Sequence, residues 1–476
     1  MKKILLALSV IIVSFGVTGC SDWLDINQNP NYPTEVNAEA LLPSAIVYST
    51  TQLGGNIELV GSFWSQHYCQ YTSSNQYVTV MQNNLAYTDN FFSGGWIAIY
   101  RNALPTLNEC IKAAQKQGES YDCYVYVCKV LQAFNWHILN SLYDQIAFDE
   151  GLNGLENLTP KFNTSTESYD RIVAMLAELV AANPATLQAK SDLVLAGKGK
   201  DFLFDGDMAS WVKFARTVYV KMLMRKFDSN KTKIAAMITA GLLDEVSGDA
   251  KLDIYVDLPN KSNPIYESDR RQLNTNKNIR ACNSLLNYLK SNGDLRYKVI
   301  YEANSGGGYT GGNYGSGGGG TTSRANLAAT DPVYMASMAE AYFLIAEYYA
   351  RMSQPVQAKI AYDKAVSLAF ERWNLDGSTL LAVGGAYEFT SLTTEAMLKQ
   401  IMTQKWIAAA RCQAWDSWFD INRTGYPAHG EVLVAYSGNL DAGTYPRRFL
   451  YPKNSYDYNP NVPELVPLGT KMWWHK

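Results

Sequence analysis

The sequence predicts a mainly α-helical protein in which tetratricopeptide-like helix pairs support an irregular, loop-rich half. Three observations carry that expectation. Apolar residues recur at three- and four-residue steps from Val36 onward. Between Ala339 and Phe370, small residues and aromatics fall where two antiparallel helices would touch. Two long stretches, 244–280 and 422–470, hold Pro, Asn, Tyr and Gly with little periodicity.

Taken in order, the chain opens with Lys2 and Lys3, an apolar run from Ile4 to Val17, then Thr18, Gly19 and Cys20. The run is shorter than the roughly 20 residues of a membrane-spanning helix, so residues 1–19 are expected to be a lipoprotein signal peptide. Cleavage would leave Cys20 first, with lipid on its thiol. Residues 20–35, polar and rich in Pro and Asn, form the expected lipidated tether, and residues 36–476 a single domain on a helical-repeat scaffold.

Helices are predicted over 37–53, 57–70, 95–116, 121–143, 167–183, 208–227, 230–242, 332–352, 355–371 and 393–411. The stretch from Asp207 opens with an acidic cap and spaces Trp211, Phe214, Val218 and Met222 along one face. Ile345, Ala346, Tyr349, Ala358, Tyr362 and Ala365 match the tetratricopeptide pattern, with Phe370 where that pattern ends in Pro. The run 305–320, SGGGYTGGNYGSGGGG, is flexible by composition.

Composition excludes some functions. A formal net charge of −3, a pI of about 5.9 and no Lys/Arg block argue against a nucleic-acid partner. They give no pull toward anionic lipid either, so the lipid on Cys20 must do the anchoring. Besides Cys20 there are Cys69, Cys110, Cys123, Cys128, Cys282 and Cys412, widely spaced and expected as small buried hydrophobes. The 32 tyrosines and 11 tryptophans exceed what packing needs and suit a binding surface.

Catalytic signals are weak. Gly306, Gly308 and Gly311 satisfy GxGxxG, as do Gly315, Gly317 and Gly320, but low complexity generates such matches without a strand and helix around them. His67, His137, His429 and His475 are scattered, so no metal or cofactor is expected. Asp205 with Asp207, and Asp416 with Asp420, are the nearest paired carboxylates; helix capping explains the first pair and a solvated helix face the second. Recognition without catalysis remains. Flat aromatics framed by amides and guanidinium groups suit sugars, and two segments combine them: 64–92, with Tyr71, Asn75 and Tyr77, and 304–324, with Tyr309, Tyr314 and Arg324. All four tyrosines, in loops, are expected to be exposed. Trp64 and Trp96, on helical faces, are expected in the core.

Several segments together resemble the SusD/RagB family of outer-membrane nutrient-binding lipoproteins. They are TGC ending at Cys20, DINQNPN at 25–31 followed by Leu41, Leu42 and Pro43, FDGDMASWVKFARTVYVKMLMR at 204–225, AEAYFLIAEYYAR at 339–351, QKWIAAARCQAWDSWFDINRTGYP at 404–427 and PRRFLYP at 446–452. The resemblance implies a SusD-like fold, lipid anchoring at the cell surface through Cys20, and export favoured by Asp22 and Asp25. It also implies a SusC-like TonB-dependent transporter as partner, an oligosaccharide or peptide as cargo, and no enzymatic activity. No segment matches the glycan-stacking motif of the starch-binding members, so the site residues rest on their own chemistry. A surface glycoside hydrolase is the reading from another class.

Overall fold

The computed structural model describes residues 36–88, 91–272 and 278–476, with a structural unit running from Ala38 to Lys476. The expected signal peptide, Cys20 and the tether lie outside the described residues. The first helices are α1 (Ala38–Thr51) and α2 (Asn56–Trp64), followed by α3 (Leu104–Gln117) and α4 (Asp122–Tyr143). Next come α5 (Ser165–Val180), α6 (Pro184–Val194), α7 (Met208–Leu223) and α8 (Phe227–Ala240). After α9 (Asn283–Ser291), the C-terminal third carries α10 (Met338–Arg351), α11 (Pro355–Glu371), α12 (Thr394–Ala409) and α13 (Ala414–Thr424). Among the described residues no single helix is long and apolar enough to cross a membrane.

Helix starts follow local chemistry. The Asp207 carboxylate accepts from the Ala209 and Ser210 amides at the head of α7, Ser337 accepts from Glu340 N, and Thr393 from Ala396 N. Thr164 and Glu167 form a reciprocal capping box on α5. The helix predicted over 95–116 is instead divided: a π-helical stretch, Ala98–Ala103, precedes α3. Pro105, just inside α3, has no N–H to give the preceding turn, which widens. The helix predicted to reach residue 70 stops at Trp64, because Gln66 turns to φ +57° and the chain leaves as a strand.

Packing is organised around α4, buried on every side from Val130 to Tyr143, as a helix at the centre of a core must be. It packs on α3 and α5, while α7 lies on α5. The expected pair, α10 with α11, is present: Ala346 and Ala350 face Ala358, Ala361 and Ala365, all buried, so the backbones approach closely. Helix α12 then covers α10.

Helix α13 closes against α2, although their residues are far apart in sequence. Any Cβ on Gly61 would strike the Trp415 backbone, so only glycine permits this approach. Glu58 Oε2 accepts from Ala414 N (2.9 Å), Ser65 Oγ donates to Ala414 O (3.2 Å), and the Trp406 indole donates to Ser65 O (2.8 Å). Burial pushes the Glu58 carboxyl up to about 8, despite the Ala414 and Trp415 amides.

Asp416 and Asp420 do not lie on a solvated face. Both are buried, because α13 turns that side toward three other helices. Lys221 of α7 pairs with Glu340 and with Asp416 (3.0 Å); Lys405 of α12 pairs with Asp416 (3.2 Å) and Asp420 (2.5 Å). Arg423 bridges Asp420 (2.6 Å) to Glu347 (2.6 Å), which Arg351 also holds (2.8 Å). Burial alone would raise the Asp416 carboxyl, but Lys221 and Lys405 hold it far below the usual range.

Among the described residues, four short strands complete the fold. Antiparallel β1 (Tyr68–Gln70) pairs with β3 (Ile279–Ala281), and β2 (Ala250–Leu252) with β4 (Val333–Ala336). β4 occupies the start of the helix predicted from residue 332, and Ser337 sets the true beginning. Among the described residues, the rest of 244–280 and 422–470 is mostly irregular, as expected, with short helical turns at 264–272 and 453–458.

Candidate functional site

The two tyrosine-bearing segments meet at β1 and β3. Gly318 N donates to Gln70 O (2.8 Å), Thr72 N to Gly318 O (3.0 Å), Gly312 N to Ala281 O (2.8 Å) and Ala281 N to Ser323 O (2.9 Å). The glycine-rich run 305–320 is thus seated on both strands in a defined conformation, although its composition reads as flexible. Gly317 shows why glycine is needed: its φ is +82°, and a Cβ there would lie 2.5 Å from Gln70 O.

The six candidate residues divide. Tyr71 is half-buried, its ring under the Arg280 guanidinium at 4.4 Å, and Arg280 bridges to exposed Arg324 through the backbone. Asn75 is exposed in the turn after β1. Tyr77 and Tyr314 correct the expectation of exposure, being 3% and 5% exposed. Tyr77 packs on Phe63 at 5.7 Å, and Tyr314 stands edge-on to Tyr436 with its hydroxyl donating to Asn83 Oδ1 (2.9 Å). Their loops fold inward, so the rings fill the core beneath the face. Tyr309 rests edge-on against Tyr297 (4.9 Å), and the Lys290 ammonium donates to its carbonyl.

Beside Tyr71 runs a groove. Tyr71 N donates to Asn278 O (2.8 Å), and the Asn278 amide donates to Gln76 Oε1 (2.9 Å). Gln76 and Tyr77 enter the wall of a cleft of about 470 Å³ with Gln52, Asn56, Leu59 and Phe91. A second cleft of about 560 Å³, carrying Ile254, Tyr255, Val256 and Asn260, shares Thr51, Pro264 and Ser268 with the first. Two abutting clefts make an elongated groove. Apolar surface framed by carboxamides and hydroxyls is chemistry for a chain-like ligand with alternating apolar and polar faces.

Nothing in the candidate carboxylates suggests bond cleavage. Asp207 caps α7, and Asp416 and Asp420 are engaged by buried cations. His67 is fully buried beside Trp406, and burial lowers its imidazole to about 3, leaving it neutral. Among the described residues no group of three or more His, Cys, Asp or Glu is placed to hold a metal ion.

Residues 30–452 match a family of SusD-like proteins described as starch-binding and associating with the outer membrane. The chain belongs to the SusD-like family. Solved SusD-like structures share its mainly helical fold. A chitin-binding SusD homologue from Flavobacterium johnsoniae is 20% identical with a TM-score of 0.74, over 92% of this chain and 98% of its own. A SusD homologue from Bacteroides uniformis is 20% identical with a TM-score of 0.71, over the same shares. A SusD-like protein from Bacteroides thetaiotaomicron is 18% identical with a TM-score of 0.73, again over 92% and 98%. No curated protein matches. Within this SusD-like chain the groove residues Gln52, Asn56 and Ser268 carried no sequence signal, because they sit on helices and turns that only the fold brings beside Gln76.

Proposed function

We propose that this SusD-like protein captures oligosaccharides at the cell surface and delivers them to a SusC-like TonB-dependent outer-membrane transporter, held to the membrane by lipid on Cys20. The observation that carries the reading is the groove beside Tyr71, where half-buried Phe91 offers apolar surface, backed by buried Tyr77 and Leu59, and Gln52, Asn56 and Gln76 offer donors and acceptors. Tyr71 is linked to its wall through Asn278, which bonds Gln76, and one solved relative of this fold is described as chitin-binding. The role is binding without catalysis; the capped and ion-paired carboxylates support that over a hydrolase.

Calorimetric titration of the full chain with chitooligosaccharides, maltooligosaccharides and peptides tests the cargo. A glycan is expected to bind in the micromolar range, about −8 kcal/mol or weaker, with Tyr71→Ala and Gln76→Ala each weakening it. Silence toward every glycan together with peptide binding favours the second reading, the same role with peptide cargo. One observation supports that alternative: the far cleft carries Ile254 and Val256, suited to peptide side chains. New reducing ends on incubation with a polysaccharide would overturn the binding role.

A further inference from the structure

Beyond the tip of the glycine-rich loop, at Asn313, a cleft of about 1030 Å³ opens between α9, α12 and residues 386–391. It shares no residue with the groove. We propose that this cleft is a second binding site, for a neutral oligosaccharide, an inference that rests on the nutrient-binding role above.

The lining decides the ligand class. Five carboxamides, five aliphatic hydroxyls and three tyrosines make up most of the wall, and aliphatic side chains contribute only two alanines and two valines. That wall offers many neutral donors and acceptors with little to hold an apolar ligand. Its charged groups are already partnered: Lys399 pairs with Glu431 at 2.5 Å, and the Glu388 carboxylate accepts from Gly384 N (2.7 Å). Lys399 is the cation among the described residues lining the cleft, and an anionic ligand would have to displace Glu431 to reach it, whereas a neutral ligand need not.

Some of these groups are positioned and others are open. Gln400 donates to Glu388 O (2.8 Å) and accepts from Ser391 Oγ (3.1 Å), fixing its amide; Asn313 Oδ1 accepts from the Asn283 amide (2.8 Å). Exposed Asn287 on α9 and exposed Thr390 line the cleft with no side-chain partner among the described residues. The volume stands at the upper end of small-molecule pockets and suits several sugar rings.

The test is titration of the full chain, purified in detergent, with chitotetraose and maltotetraose, comparing wild type, Asn287→Trp, Tyr71→Ala and the double variant. Asn287 is exposed, so its replacement blocks the cleft without touching the core. Two equivalents are expected in the wild type; Asn287→Trp weakens one at least tenfold and leaves the other, which Tyr71→Ala weakens. A single equivalent abolished by Tyr71→Ala and untouched by Asn287→Trp overturns the second site while the groove stands. A single equivalent lost only with Asn287→Trp supports the cleft and removes the groove. Silence toward both sugars overturns both, and competition for the cleft by tetragalacturonate overturns the neutral-ligand assignment.

Discussion

Single residues carry the electrostatic burden of this fold. The Lys221–Glu340–Asp416–Lys405–Asp420–Arg423–Glu347 chain is buried, so removing one member leaves a charge without its partner in a medium that penalises it. Asp416→Ala is expected to lose about 3 to 5 kcal/mol in denaturant unfolding. Two glutamates give opposite pH dependences. Burial would raise Glu347, but Arg423 and Arg351 hold it at about 2. The unfolded chain therefore binds its proton first, and about 3 kcal/mol of stability, complete above pH 4.5, drains away as pH falls toward 2. Glu58 keeps its proton in the fold up to about pH 8, so its contribution worsens as pH rises from 4.5 to 8, by on the order of 5 kcal/mol in full. Glu58→Gln should accordingly melt above wild type by a margin that widens between pH 5 and pH 8. None of this is legible in sequence: Asp416 and Asp420 have the spacing of a solvated helical pair, and the lysines that neutralise them arrive from α7 and α12.

At the scale of elements, long helices were legible and short strands were not. α11 has the span its periodicity indicates, 355–371, and α10 ends within one residue of its expected end, because helical periodicity repeats over many turns; the first six residues expected in α10 instead hold β4 and the helix cap Ser337. β1 and β3, three residues each, are too short to show alternation, and their pairing is set by partners distant in the chain. The glycine-rich run differs from its composition for the same reason: composition reports the freedom of an isolated segment, whereas here Gln70, Thr72, Ala281 and Asn283 supply its hydrogen bonds. Gly317→Ala should cost about 1 to 3 kcal/mol locally, through an unfavourable positive φ and the clash with Gln70 O. Faster hydrogen exchange at Thr72 and Gly318, with the melting of the helical half little changed, is the expected signature. The burial of Tyr314 was not legible, since only the folded loop brings Asn83 within reach of its hydroxyl.

For the whole molecule, burial makes the thiols silent. Cys69, Cys110, Cys123, Cys128, Cys282 and Cys412 are free and buried, and burial pushes Cys123 up to about 11. Ellman's reagent should leave all six untouched in the native protein and titrate them once it is denatured. Assembly is constrained by the α2–α13 contact, in which Gly61 and Glu58 meet Trp415 and Ala414. Such a pairing of early and late residues forms slowly, because a very long loop must close first. The N-terminal helices therefore stay unfinished until the segment carrying Trp415 has docked beside them. Throughout that interval the surfaces meant for α13 stay open to the wrong neighbours, and a holding chaperone is the natural protection.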